Sequence, residues 1–367
     1  MSSHSLIHIV AALMLIMMPL QGWCQKADST STQWSYDLKG SAFIRDAEFF
    51  MPFAKGYTAS GFLFEPTAML TLSKDFSVRG GVRMLGVAGT DGLYRWAPIF
   101  SIYYCPNDFM QITMGTLDVS HGHFAGDPIY DPERWYFDYQ ENGLQILNYT
   151  SHWIGDTWVD WEHFLEPWTP DQERFTLGSH QIVMLNTFGS DFNIWIPLVF
   201  SGSHRGGQFS TLDTCIETLF NESIGIQAIW NSTHGERRIM VPLYFFQNKS
   251  PQGEQHTPFT NGWGAYPQLS LTLRNQKNEA CITLGYWYGD HYLSARGGRL
   301  YDSYGWFKPQ AVSPIRRMIT AKVEWVNKPL RWGTFAMDAI GYYDWDLKAF
   351  DFTIGMKLSF EQRGRWK

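Results

Sequence analysis

"FDFTIGMKLSFE", residues 350–361, alternates without a fault. Phe350, Phe352, Ile354, Met356, Leu358 and Phe360 fall on one face, and Asp351, Thr353, Gly355, Lys357, Ser359 and Glu361 on the other. Successive side chains of a strand point to opposite faces, so the stretch reads as a strand with one apolar and one wet surface. What the apolar face touches, a protein core or lipid, decides the fold.

The pattern recurs. "FLFEPTAMLTLS" (62–73), "FSVRGGVRM" (76–84), "MQITMG" (110–115), "LSLTLR" (269–274) and "ITAKVEW" (319–325) alternate in the same way. With weaker segments included, strands are expected near 34–44, 61–73, 76–88, 97–105, 109–118, 142–151, 157–166, 175–186, 191–201, 222–231, 237–248, 266–276, 279–290, 315–326, 334–345 and 350–361. No segment of useful length has a helical period, and "CIETLFN" (215–221) is the best candidate for a short helical turn. The connections separate core from lipid. Those after even strands are short and most of those after odd strands are long, which a soluble sandwich has no reason to maintain. Strands of about ten residues also suit a tilted membrane crossing better than a sandwich. The expected fold is therefore all-β: an up-and-down antiparallel transmembrane β-barrel of about sixteen strands, with short periplasmic turns and long extracellular loops. Trp34, Tyr36, Phe62, Phe76, Trp96, Trp230, Trp325, Trp332, Phe350 and Phe360 are candidates for its interfacial girdles.

Composition agrees. Of 367 residues, 17% are aromatic and 17% charged, with 33 Gly, a balance that favours strands and turns over helices. A net charge of -6 with no basic block excludes a nucleic-acid partner. The apolar run from Leu6 to Leu20 reads as the core of a signal peptide, residues 1–25. A short periplasmic segment (26–33), the barrel (34–361) and a tail (362–367) complete the expected organisation. Without Cys24, the cysteines Cys105, Cys215 and Cys281 are too few and too scattered for a disulfide framework.

On these features the chain resembles the porin-like outer-membrane β-barrels of Gram-negative bacteria over residues 34–361. "DPIYDPERWYFDYQENGLQIL" (127–147) is also similar to loop-and-strand segments of outer-membrane proteins of the Bacteroides type. The resemblance implies the outer membrane as location, with its lipid and its assembly machinery as partners; homo-oligomerisation stays open. Such barrels often finish on an aromatic residue, whereas here "EQRGRWK" follows Phe360.

Sixteen strands enclose room for an aqueous channel, so the wet face is expected to line a pore. Arg79 and Arg83 lie on one face of the third strand, with Lys39, Glu65 and Lys357 elsewhere in the wall. In general porins the loop after the fifth strand folds into the barrel. By resemblance, Asp127, Asp131 and Glu133 would oppose Arg79 and Arg83 across a constriction. The alternative keeps the loop outside and pairs the arginines with Glu65. His121 and His123, near Asp127 and Asp131, are weak as a metal site. Asp160 and Glu162 share a strand face, a spacing open to paired-carboxylate chemistry, but read more simply as lumen lining. Ser179 and His180 point to opposite faces and make no dyad. The functional expectation is a non-enzymatic porin for small polar solutes, with no catalytic residues, metal or cofactor. The alternatives are a barrel enzyme acting on lipid and a closed, surface-binding barrel.

Overall fold

The computed structural model describes residues 32–119, 122–138, 140–166, 168–185, 191–206, 216–232, 235–251, 258–330 and 332–365. The signal segment, His121, Cys215 and Trp366 lie outside them. Sixteen strands close into one antiparallel barrel in which each pairs with its sequence neighbours and the first pairs with the last. They are β1 (Gln33–Glu48), β2 (Tyr57–Thr71), β3 (Phe76–Val87), β4 (Arg95–Asn107), β5 (Met110–Thr116), β6 (Asn142–Tyr149), β7 (Trp153–His163) and β8 (Glu173–Met184). The second half comprises β9 (Phe192–Gly206), β10 (Glu217–Asn231), β11 (Arg237–Lys249), β12 (Asn261–Arg274), β13 (Asn278–Asp290), β14 (Ile315–Leu330), β15 (Gly333–Asp344) and β16 (Ala349–Arg365).

The expected alternation holds in β16. Ile354 and Leu358 are exposed on the outer surface, while Asp351 and Thr353 are buried within the barrel. The strand runs on to Arg365, so most of the expected tail is wall, paired with Ser35 to Leu38 of β1. β1 likewise continues past Ile44 to Glu48, which brings Arg45 into the wall. Of the helical turn expected at 215–221, residues 217–221 are instead the start of β10. The β5–β6 loop holds a short 3-10 turn (Gly122–Phe124) and an α-helical turn, α1 (Arg134–Phe137). Cys105 is disulfide-bonded, and Cys281 is a free thiol.

The lumen departs most from an open channel. Loops at the long-loop end turn inward and meet the wall in an apolar core. Met51 and Phe53 come from the β1–β2 loop, Ile129 from the β5–β6 loop, and Tyr292, Leu300 and Tyr301 from the β13–β14 loop. They pack on Phe246, Tyr266, Trp287, Met318 and Tyr342 of the wall. Trp135, Tyr136 and Phe137 of α1 pack separately against Phe43, Leu63 and Leu85. Burying aromatic surface is the dominant gain available to such loops, and it fills space that an aqueous pore would need.

Polar pins fix the same loops. Arg316 of β14 is fully buried, donates from Nε to Asp344 Oδ2 at 2.7 Å and from Nη1 to the Asp302 carbonyl at 2.7 Å, and lies 3.8 Å from the Phe53 ring centroid. Arg45 of β1 donates from Nε to Glu133 Oε2 at 3.0 Å and from Nη1 to Asp338 Oδ2 at 2.5 Å, tying the β5–β6 loop to the wall. His123 of that loop is buried between Asp156 Oδ2 at 2.8 Å and Glu141 Oε2 at 3.0 Å, stacked on Trp158 with ring centroids 3.7 Å apart. Burial alone would push this imidazole below its ordinary value. Asp156 and Glu141 outweigh it and hold it up at about 9. Burial also works against the Glu141 carboxylate, but His123, followed by Arg296, brings it down to about 2.

A buried charge stripped of its partner is more costly than no pair at all. Arg316→Met should therefore destabilise the barrel by about 3–5 kcal/mol, and adding Asp344→Leu should recover most of the loss. Urea midpoints of the refolded barrel in detergent measure both.

Because the folded-state value of His123 is raised, its contribution is complete below about 6.5 and fades as pH rises through about 9. Glu141, lowered from 4.5, contributes above that value and fades as pH falls toward about 2. Between pH 7 and 10 the melting temperature of the wild type should thus fall more steeply than that of His123→Gln. Heat-shifted gel mobility across this range reports the difference, and parallel curves would remove His123 from the linkage.

Candidate functional site at the extracellular rim

β5 and β6 are the shortest strands, at 7 and 8 residues. Pairing of β4 with β5 reaches upward only to Ser101–Gly115, and pairing of β6 with β7 only to Gly143–Asp160. Above that line residues 95–100 of β4 and 161–163 of β7 have no strand partner between them, which leaves a notch in the wall at the loop end. The two strands stop together at Thr116 and Asn142, one residue beyond the opposed glycines Gly115 and Gly143. Gly115 has φ +105°, and a Cβ there would lie 2.1 Å from the Phe100 carbonyl oxygen. Only glycine permits that backbone and that approach.

The loop after β5 crosses the notch, and Gln140 Nε2 donates to the Pro98 carbonyl at 2.9 Å. A groove of about 410 Å3 remains, and its lining includes Arg95, Trp96, Arg134, Phe137, Trp161 and Arg174. Trp96 and Trp161 belong to the outer faces of β4 and β7, whereas Arg83, Asp160 and Glu162, also in the lining, belong to the inner. The groove therefore connects the lipid-facing surface to the interior.

Asp160 and Glu162 of its lining belong to a charge cluster centred on Arg296 of the β13–β14 loop, behind the groove wall. Nη1 donates to Glu141 Oε1 at 2.6 Å, Nη2 to Glu162 Oε1 at 2.7 Å and also to Asp160, and Nε to Glu162 Oε1 at 3.2 Å. Tyr130 adds its hydroxyl to Glu141 Oε1 at 3.1 Å. Burial costs the Arg296 guanidinium, but Glu141, Glu162 and Asp160 more than compensate and raise it above its ordinary value. Asp160 also accepts the Asn142 amide at 2.9 Å and its side chain is 5% exposed. Glu162 is 30% exposed, so it is the carboxylate that a bound molecule reaches. Its described hydrogen bonds, including one from Thr176 at 2.7 Å, all fall on Oε1.

Of the residues expected to line a pore, Arg79, Arg83, Lys39, Glu65 and Lys357 belong to the wall, and Asp127, Asp131 and Glu133 lie in the β5–β6 loop with other partners. Arg79 donates to Ser101 Oγ at 3.1 Å, and Arg83 lies 3.6 Å from Glu65. With Lys39 they line a cavity of about 40 Å3 that shares Arg83 and Gln140 with the groove. Glu133 is taken by Arg45, Asp131 Oδ1 accepts the Glu133 amide at 2.9 Å, and the Asp127 carbonyl accepts the Gly298 amide at 2.8 Å. Lys357 lies over the Trp135 ring at 4.1 Å. The cations that act on these acids are thus Arg45 on Glu133, Arg299 on Asp131 and Lys322 on Asp127, not Arg79 and Arg83. His123 is committed to two carboxylates, and among the described residues no cluster has the make-up of a metal site. Ser179 bonds Gln181 and Thr157 on the outer surface, while His180 Nδ1 donates inward to the His123 carbonyl at 2.8 Å. Arg296 was invisible to strand-face reasoning, because it sits in a loop and its partners come from other segments. Glu162 was visible as one of a carboxylate pair.

Comparison with known proteins separates fold from activity. OmpT of Vibrio cholerae lacking loop L8 superposes with a TM-score of 0.53 at 12% identity, covering 90% of this chain and 99% of that one. OprD of Pseudomonas aeruginosa gives 0.52 at 8% identity, covering 92% and 97%. At these identities the likeness establishes the barrel fold alone, and nothing about transport. No curated protein sequence matches the chain. The family model described as "Lipid A 3'-O-deacylase-type" matches residues 25–366. That match is to an enzyme family and overturns the expectation of a barrel without enzymatic activity. With nearly its whole length matched, the chain belongs to the lipid A 3'-O-deacylase-type family.

Proposed function

We propose that the protein is an outer-membrane hydrolase that removes an ester-linked acyl chain from lipid A, with the rim groove as its site. The observation that carries this reading is the notch above β5 and β6. It gives a lipid in the outer leaflet a sideways path to buried carboxylates and arginines, without passage through the lumen. Arginines suit a phosphorylated headgroup, while Trp96, Phe137 and Trp161 suit the start of its acyl chains. A porin reading gains less support, because the loops bury an apolar core across the lumen.

In the proposed reaction Glu162 takes a proton from water as the water oxygen attacks the ester carbonyl. The negative charge that develops on the carbonyl oxygen faces Arg134, which lines the same groove. Collapse breaks the bond to the sugar oxygen, which takes the proton back from Glu162, leaving a free fatty acid and a hydroxyl. Arg296 holds Glu162 through Oε1 and so orients the carboxylate. Asp160, Glu141 and His123 hold Arg296 and the loop in turn.

Incubation of the purified protein with lipid A in mixed micelles should release one fatty acid per lipid, seen as a single mass decrement. Glu162→Gln, near-isosteric and still able to bond Arg296, should lower the rate by about 10²-fold or more while leaving heat-shifted mobility unchanged. Lipid A recovered intact from the wild type would overturn the reading in favour of a closed, surface-binding barrel.

A further inference from the structure

Arg174 of β8 and Arg205 of β9 stand directly opposite each other in register at the extracellular ends of their strands. Both are exposed, and neither makes a hydrogen bond or ion pair among the described residues. The other rim arginines are engaged. Arg95 donates to the Phe137 carbonyl at 3.0 Å, Arg134 lies 3.0 Å from Asp138, and Arg317 is bonded to Asp346. Glu217 is opposite Arg205 on the next strand and Glu173 adjoins Arg174 in sequence, yet neither pairs with them among the described residues. Like charges placed directly opposite in a sheet destabilise it. An anion between them turns the repulsion into a bidentate attraction, and the planar guanidinium fork fits phosphate oxygens.

We propose that Arg174 and Arg205 form a phosphate clamp that holds the phosphorylated headgroup of the lipid. Arg174 also lines the groove, so an anion on this pair sets a headgroup beside Glu162 with its acyl esters toward the floor. Opposed residues of an antiparallel pair have Cβ atoms about 5 Å apart, within the span of one phosphate. The assignment of the anion to a lipid substrate rests on the hydrolase reading; the clamp itself rests only on the opposed arginines.

The test uses the full-length protein in detergent. Calorimetric titration with inorganic phosphate alone should show binding to the wild type, weakened at least tenfold in R174Q/R205Q. Arg174→Lys should keep part of the affinity as a point charge. Equal phosphate affinity in the wild type and R174Q/R205Q would overturn the clamp. Vesicles carrying lipid A or its dephosphorylated form identify the source of the anion. Wild-type preference for the phosphorylated vesicles, lost in R174Q/R205Q, supports the headgroup. Phosphate binding with no such preference overturns the headgroup assignment. Acyl release is measured separately, so a clamp that binds phosphate in a protein releasing no fatty acid would sink the hydrolase reading and leave the clamp standing.

Discussion

Buried arginines need partners, and that requirement governs how this barrel closes. Arg45 and Arg316 belong to the wall and Arg296 to a loop; each joins loop to wall, through Glu133, the Asp302 carbonyl and Asp160 respectively. Solvation favours a guanidinium in water by several kcal/mol over one unpaired in the interior, so loop and wall arginine stay together or both lose. The apolar core alone would hold the loops loosely, because aromatic contacts tolerate sliding. The charged pins fix register: Arg45 accepts only the position that sets Glu133 against it, and Arg296 only the one that gathers Glu141, Asp160 and Glu162.

The pins also explain how a wall with a notch remains intact. β5 and β6 end early, so the upper edges of β4 and β7 lack a strand neighbour there. Unpaired edges normally invite association. Here the β5–β6 loop covers the gap, held by His123 between two carboxylates and by Gln140 on the Pro98 carbonyl. The charge cluster beneath the groove therefore has two tasks, since it seals the lumen and supplies the carboxylate exposed to the groove.

The wall was legible in the sequence and its contents were not. Alternation such as Phe350 to Glu361 identifies the lipid face because lipid demands an unbroken apolar row, and the parity of connection lengths identifies the two ends. Ending the first strand at Ile44 concealed Arg45, although its position, two residues from Phe43 on the inner face, was available by counting. Asp160 and Glu162 were recognised as an inward pair, but their partner lies more than a hundred residues away in "SARGGRL" (294–300). No local period reports such a meeting, because it depends on how two loops fold over one another. The alternating pattern is equally compatible with a wet lumen and a filled one, since it reports the row that faces lipid and not what the inner row, here with Phe246, Trp287 and Tyr342, packs against. The porin expectation followed from strand number, the charged inner face and a resemblance to porins, and none of these says what the loops do in this chain.

A filled lumen changes which side of the barrel carries function. A solute that crosses a pore needs an axial path, and here the core from Met51 to Tyr301 lies across it. A lipid already lies beside the wall and needs only a lateral opening at the depth of its ester linkages. The notch stands at the loop end, where the outer-leaflet headgroups are, and the groove joins outward Trp96 and Trp161 to inward Asp160 and Glu162. For the hydrolysis proposed above, Arg296 is buried and fixed, so it would hold the partly exposed Glu162 in one orientation before substrate arrives. On this view the sixteen-stranded wall is a frame, wide enough to admit three loops, and the chemistry is placed where the frame was left short.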